Sequence, residues 1–232
     1  MISQTFWCTL VFAAFVSPIR CTGDPEACLP GEEHQDYTQV SPEELGVRLL
    51  KADRDPSTGF LVAGRNETAV ILALTSLNGR SIADLEREMR PGESSDAGFL
   101  GKQDSLLDVL AADNRFVVED RRQTHQVLAR HLRVLAAIGL RREGKVFEYH
   151  GRRFEVTIRS YRGFQDSPFR DGTKTNSEAK IRNLTNNTSL EYSLLVPDMI
   201  ERYGFYEGPG TPYRVDPEAI FALLDFLDGD CL

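Results

Sequence analysis

Residues 161–176 (YRGFQDSPFRDGTKTN) combine basic, acidic and aromatic side chains, and this mixture is typical of a binding segment. The polar side chains that can act there are Arg162, Asp166, Arg170, Asp171 and Lys174. The basic groups can hold a carboxylate, sulfate or phosphate, whereas the aspartates can hold a cation. Because long loops are often functional, we predict a binding loop. A surface loop with a turn at Asp171-Gly172 is the simpler alternative.

A second polar segment lies at residues 205–216 (FYEGPGTPYRVD). Its glycines and prolines set turns rather than supply chemistry, so its candidate contacts are Glu207, Tyr213 and Arg214. We expect this segment to meet residues 161–176 in space. The predicted ligand is a small anion, and a protein partner is the alternative.

Catalytic motifs with a fixed spacing are absent from the sequence. It has no Gly-x-Ser-x-Gly elbow, no His-Glu-x-x-His pair, no phosphate-binding glycine loop and no close cysteine pair. The histidines are His34, His125, His131 and His150, and their spacing is not that of metal ligands, so we predict neither a metal nor a cofactor. We therefore favour a non-catalytic protein. A hydrolase that uses His125 or His150 with Asp166 or Asp171 is the enzymatic alternative, because triads are defined by geometry.

A helix and two hairpins are predicted to position these residues. Thr124 caps a helix that ends near Gly139, with an inward stripe of leucines and an outward face of Gln126 and Arg130. The first hairpin has strands at 146–149 and 152–159, and the second has strands at 179–184 and 189–194. One face of each strand is apolar and the other is charged.

The remaining elements are mainly helical. Helices are predicted at 41–50, 67–77, 81–90, 105–112 and 218–227, with a short helix after Val196 and a strand or bend at 116–118. Together these elements predict an α+β fold. In it a helical N-terminal half packs on an antiparallel sheet of two consecutive hairpins, followed by a C-terminal helix.

The stretch LARHLRVLAAIGLRREGKVFEYHG, residues 128–151, resembles the recognition helix and wing of winged-helix repressors. That resemblance implies that Gln126, Arg130 and Arg133 enter the major groove while Arg152 and Arg153 contact phosphate. The surrounding block, Glu119 to Arg182, holds 15 of the 27 Lys and Arg residues. A solvated helix face and sheet face explain the arginines equally well. Since the chain has a formal net charge of −8 and begins with a secretion-like segment, nucleic acid is not the expected partner.

A second resemblance covers residues 95–227. The wording of 161–165 (YRGFQ), 167–169 (SPF), 171–173 (DGT) and 202–208 (RYGFYEG) is similar to that of a bacterial protein family without an assigned activity. The resemblance implies a single shared fold and carries no catalytic roles.

The N-terminus has the features of a signal peptide. Residues 6–19 (FWCTLVFAAFVSPI) form an apolar run that is short for a membrane span, and small residues follow at 21–23. We predict cleavage after Gly23, an acidic extended arm at 24–40 and one domain at 41–232, without a transmembrane segment in the mature chain. Cys28 and Cys231 then remain, and we expect them to form a disulfide. The predicted location is secreted or periplasmic, or cytoplasmic if the start codon is misassigned.

Overall fold

The structure is a computed structural model that describes residue 60 and residues 66–93, 95–142 and 144–229. It combines helices with antiparallel strands, as the α+β prediction requires. Its α-helices are α1 (Thr68–Leu72), α2 (Ile82–Met89), α3 (Leu106–Asn114), α4 (His125–Arg142), α5 (Val196–Tyr203) and α6 (Pro217–Leu223). A π-helix (Arg115–Asp120) follows α3, and a 3-10 helix (Asp225–Gly229) follows α6.

Four strands form the main antiparallel sheet. They are β3 (Phe147–Tyr149), β4 (Arg152–Asp166), β5 (Lys174–Asn183) and β6 (Thr188–Ser193), and each pairs with the next along the chain. The hairpin turns lie at His150-Gly151 and at residues 184–187, where both His150 and Asn187 have positive φ. Both predicted hairpins are therefore present.

The predicted loop at 161–176 is wrong, because β4 and β5 extend into it from both ends. The connection between them is only residues 167–173. Ser160 pairs with Ser177 and Gln165 pairs with Thr175, so the four residues 161–164 lie opposite Asn176 alone. This large bulge exposes residues 161–164 to solvent. It explains why the sequence lacks a strand pattern there, since a bulge interrupts the alternation of faces.

Helix α4 packs on one face of the sheet. A Cβ atom added to Gly139 would lie 2.2 Å from Val156 Cγ1, so the two backbones approach closely at this point. Tyr192 of β6 donates a hydrogen bond from its hydroxyl to the Leu132 carbonyl at 2.9 Å. The core therefore lies between α4 and the sheet, and the opposite sheet face carries the charged residues.

Two predictions for the N-terminal elements are corrected. The helix expected at 67–77 ends at Leu72, because Asn78-Gly79 adopts positive φ and pairs β1 (Ser76–Leu77) with β2 (Arg80–Ser81). Residues 116–118 are π-helical rather than a strand or bend. Their β-branched composition favours strand, but Val117 is fully buried and the segment continues directly from α3.

Several predictions lie outside the described residues. They concern the signal peptide, the acidic arm, the helix at 41–50 and the pair Cys28 and Cys231. Among the described helices, none combines the length and the apolar character that crossing a bilayer requires.

Candidate functional site

A cleft of about 490 Å³ lies where the charged face of the sheet meets two loops. Glu178 of β5 and Glu191 and Ser193 of β6 line one wall. Residues 95–97 and the turn at 207–214 line the other. This volume is in the range that binds small organic molecules.

Close backbone contacts fix the 207–214 turn. Asp104 Oδ2 accepts hydrogen bonds from the backbone amides of Gly101, at 2.8 Å, and Gly210, at 3.0 Å. A Cβ atom on Gly208 would lie 2.3 Å from the same carboxylate oxygen, and one on Gly210 would lie 2.8 Å from Gly101 Cα. A side chain at either position would collide with these atoms, so only glycine fits. The close packing holds this wall of the cleft in place.

Glu207 combines two unfavourable features at the edge of the cleft. Its backbone has φ of 67°, and the residue is only 3% exposed. Burial raises the pKa of the Glu207 carboxyl to about 7, against the effects of a hydrogen bond from Thr211 and the charge of Arg214. Among the described residues, the 3.2 Å hydrogen bond from Thr211 Oγ1 is the one that this carboxyl group accepts. Strain and a raised pKa of this kind are typical of functional sites.

Arg214 lies next to Glu207 and is committed to an internal ion pair. Its guanidinium binds Asp113 through two bonds, of 2.6 and 3.1 Å, and also donates to the Glu207 carbonyl. Burial raises the pKa of the Asp113 carboxyl, while the Arg214 guanidinium opposes that rise. The positive charge of Arg214 is therefore largely neutralised inside the protein.

The sheet wall is connected to the bulge. The Tyr161 hydroxyl donates to Glu178 Oε2 at 2.8 Å, and Gln165 Oε1 accepts from Ser193 Oγ at 3.2 Å. Glu178 also lines the cleft, so the bulge orients one of the cleft carboxylates. Glu191 forms an ion pair with Lys180 at 3.1 Å. Both side chains are exposed to solvent, so the pair is weak.

Acidic groups dominate the cleft lining. The acids are Asp96, Glu178, Glu191 and Glu207, and the base is Arg214. Within the described part of the chain, no group of three or more His, Cys, Asp or Glu side chains is placed to hold a metal ion. The carboxylates come from separate elements and surround the space rather than converge on one point.

The structure brings together three of the seven predicted ligand-binding residues. Glu207, Tyr213 and Arg214 line the cleft, and Tyr213 is 61% exposed. Arg162 lies in the bulge, and Lys174 Nζ lies 5.4 Å from the centre of the Phe164 ring. Gln165, which follows the bulge, reaches the cleft, so the two predicted segments do meet.

Arg170 and Asp171 lie in the connection between β4 and β5 and have structural partners. Arg170 Nε donates to Glu88 Oε2 at 3.1 Å. Asp171 is buried and accepts from Arg202 Nη1 at 2.9 Å and from the Tyr203 hydroxyl at 2.8 Å. These bonds attach the connection to α5, which makes Asp171 an anchor for the hairpin.

The histidines of the hydrolase alternative lie away from the cleft lining. His125 is buried and bonds Tyr206 through Nδ1 at 2.8 Å and Asn114 Oδ1 through Nε2 at 3.3 Å. Burial lowers the pKa of His125 to about 4, so the ring is neutral at pH 7. His150 lies in the turn before β4, where its ring stacks on that of Phe226. Asp166 lies at the opposite end of β4.

Two of the arginines assigned to DNA by the winged-helix resemblance form ion pairs within the protein. Arg133 Nη2 lies 2.5 Å from Glu201 of α5, and Arg152 Nε lies 2.9 Å from Asp225. These pairs connect α4 and β4 to the C-terminal part of the chain.

Sequence reasoning missed Asp96, Glu178 and Glu191 as cleft residues. Glu178 and Glu191 are ordinary outward residues of alternating strands, and such residues usually face only solvent. They line a cleft only because the loops at 95–97 and 207–214 pack beside the sheet. The alternation of residues along a strand does not predict where distant loops lie. Glu207 was identified because it lies within a turn segment dense in polar and aromatic residues.

Comparison of the chain with protein-family models, with curated proteins and with solved structures finds no match. The case for a function therefore depends on the site itself.

Proposed function

We propose that this protein is a soluble binding domain without catalytic activity, and that it holds a small organic ligand in the cleft between β5, β6 and the 207–214 turn. The cleft has the size of a ligand site, and its polar groups come from four separate segments. A non-catalytic role fits the lack of a nucleophile–base pair among the motifs of the sequence.

The observation that carries this proposal is the state of Glu207. A left-handed backbone at a non-glycine residue and a buried carboxylate each cost stability. At Glu207 both costs coincide at the edge of a cleft. Backbone strain and a buried ionisable group cluster at functional sites, so their coincidence at Glu207 supports a binding role for the cleft.

Chemical-shift mapping with a library of small molecules tests the proposal. We expect the amide signals that shift on binding to cluster at Glu178, residues 191–193, Glu207 and Tyr213. Binders that consistently shift residues elsewhere, and leave this cluster unchanged, would contradict the assignment of the cleft.

We further propose that the protein acts outside the cytoplasm, after removal of residues 1–23, with Cys28 joined to Cys231. The support is the apolar N-terminal run and the pair of cysteines that cleavage leaves. Intact-mass measurement of the protein from its natural host is expected to show an N-terminus at Asp24 and the loss of two hydrogens. An intact Met1 would refute the processing.

An enzyme that uses Glu207 as a general acid or base is the second candidate. It is favoured by the pKa of about 7, which lies near the value that acid–base catalysis at neutral pH requires. If a substrate is turned over, its pH profile should have a limb near pH 7 that Glu207→Gln removes. Unchanged turnover by Glu207→Gln would exclude this candidate.

A further inference from the structure

We propose that Asn78 is a site of spontaneous deamidation, and that loss of its amide detaches the turn between β1 and β2 from the connection between β4 and β5. The inference is independent of the proposed ligand binding, because Asn78 lies outside the cleft lining.

The Asn78-Gly79 turn has the composition and the exposure that this reaction requires. Asn78 and Gly79 have φ of 52° and 72°, and both residues are exposed. A Cβ atom added to Gly79 would meet no other described residue within 4 Å, apart from its chain neighbours, so the space around its backbone is open. Because glycine carries no side chain, it obstructs attack by its own backbone nitrogen less than any other residue. Asparagine is thermolabile, and it is most so when glycine follows it.

The reaction joins two groups that are adjacent along the chain. The backbone nitrogen of Gly79 loses its proton and attacks Cγ of Asn78, which forms a carbon–nitrogen bond and closes a cyclic imide. The bond from Cγ to Nδ2 breaks, and Nδ2 takes up a proton and leaves as ammonia. Water then opens the ring at either carbonyl group, which gives aspartate or isoaspartate. Nothing is oxidised or reduced, and water is the co-reactant.

A hydrogen bond opposes the reaction. Asn78 Nδ2 donates to the carbonyl oxygen of Phe169 at 3.0 Å, and this bond holds the leaving group in place. Because Asn78 is exposed, local opening of the turn lets water replace Phe169 as the acceptor. The bond therefore slows the loss of the amide and does not prevent it.

The same hydrogen bond gives the reaction its structural consequence. Phe169 is fully buried in the connection 167–173, so its carbonyl group is a fixed point in that connection. Deamidation replaces the donor of Asn78 with a carboxylate, which is ionised at neutral pH and only accepts. Two acceptors then face each other, which separates the turn from the connection. Isoaspartate also lengthens the main chain of a two-residue turn and so disturbs the pairing of β1 with β2.

Another turn supplies a matched comparison within the same chain. Asn187 also has positive φ, of 59°, is exposed and lies in a hairpin turn. Thr188 follows it, and the branched side chain of threonine shields the attacking nitrogen. Asn78 should therefore lose its amide at least about tenfold faster than Asn187.

Peptide mapping by mass spectrometry, during incubation of the full-length protein at 37 °C, measures both sites. We expect Asn78 to become aspartate and isoaspartate, faster at pH 8 than at pH 6 because the attacking nitrogen must lose its proton. A synthetic peptide of residues 74–83 gives the rate without the fold. If Asn78 stays intact in the protein after the peptide is fully converted, or converts no faster than Asn187, the proposed site is wrong.

Two variants test the structural consequence. Asn78→Asp should have a lower midpoint of thermal unfolding than fresh wild type, and aged wild type should fall to that value or below it. Asn78→Gln keeps an amide but closes the larger ring slowly, so its midpoint should stay constant during the incubation. A fully converted wild-type protein with an unchanged midpoint, or an Asn78→Asp protein as stable as fresh wild type, would overturn the proposed detachment of the turn.

Discussion

At the scale of single residues, Glu207 connects structure to function. Its carboxyl group is buried, its backbone is in the left-handed region, and it borders the cleft. The stability of the fold should therefore increase when the charge is removed, even though binding is lost.

The pH dependence of Glu207→Gln gives a direct check of that cost. Because burial raises the folded-state pKa to about 7, the stabilisation of the protonated form is complete below about pH 4.5 and is lost as the pH rises through 7. Relative to wild type, Glu207→Gln should gain about 3 kcal/mol in unfolding free energy between pH 4.5 and pH 8. Urea unfolding followed by circular dichroism measures this difference. A difference between the two proteins that does not change with pH would show that burial does not raise the pKa of Glu207.

Arg202 is the second residue whose removal has a clear consequence. It is buried between Asp171, at 2.9 Å, and Asp198, at 3.5 Å. Burial raises the pKa of the Asp198 carboxyl to about 6, although the charge of Arg202 opposes the rise. The positive charge of Arg202 therefore neutralises mainly the negative charge of Asp171.

Arg202→Met should destabilise the fold by about 3 to 5 kcal/mol, because it leaves Asp171 buried without its cation. The double variant Arg202→Met with Asp171→Asn should recover part of this loss, since the unpaired charge is then absent. Thermal unfolding of the two proteins compares them. Equal stability of the single and the double variant would argue against the buried ion pair.

At the scale of elements, the helix α4 and the two hairpins follow from the sequence because their signals are local. The helix end predicted near Gly139 is wrong, since α4 continues to Arg142 and Gly139 is instead a close contact with Val156. Leucines at helical spacing, alternation of apolar and polar residues, and turns rich in Asn and Gly each act over a few neighbours. The bulge at 161–164 and the π-helix do not follow from the sequence, because their geometry depends on packing between distant parts of the chain. The β1–β2 hairpin does have a local signal, the Asn78-Gly79 turn, which outweighs the helical pattern of residues 73–77.

The contact between α4 and β4 tests the packing of these elements. A methyl group at Gly139 would lie 2.2 Å from Val156 Cγ1, too close for any side chain to tolerate. We expect Gly139→Ala to destabilise the fold by about 1 to 3 kcal/mol despite the higher helix propensity of alanine. The further change Val156→Ala should relieve the clash. Denaturant unfolding of both variants is the measurement, and a stabilised Gly139→Ala protein would contradict the close contact.

At the scale of the whole molecule, buried carboxyl groups with raised pKa values and buried histidines with lowered pKa values have opposite effects on how stability changes with pH. Burial lowers the pKa of His125 to about 4 and that of His131 to about 3, so both histidines cost stability as the pH falls below 6.5. The raised pKa values of Glu207 and Asp198 act in the opposite direction over the same interval.

The global stability should therefore vary little between about pH 4.5 and 6.5 and should fall below pH 4. In that lower range, His131 titrates and the pKa of Glu88, lowered to about 2 chiefly by its hydrogen bond from Arg80, adds a further loss. Unfolding free energies measured at half-unit pH steps test this balance. A steep loss between pH 6.5 and 5 would show that the carboxyl groups do not compensate the histidines.

The central claim is that the cleft is the binding site, and it is tested most directly by filling it. Ala97 lines the cleft and is half-buried, so Ala97→Phe should occupy it, whereas Ala222→Phe places the same ring on an exposed part of α6 as a control. Isothermal titration of the tightest small-molecule binder should show binding abolished by Ala97→Phe and unchanged by Ala222→Phe. Equal affinity of wild type and Ala97→Phe would contradict the account.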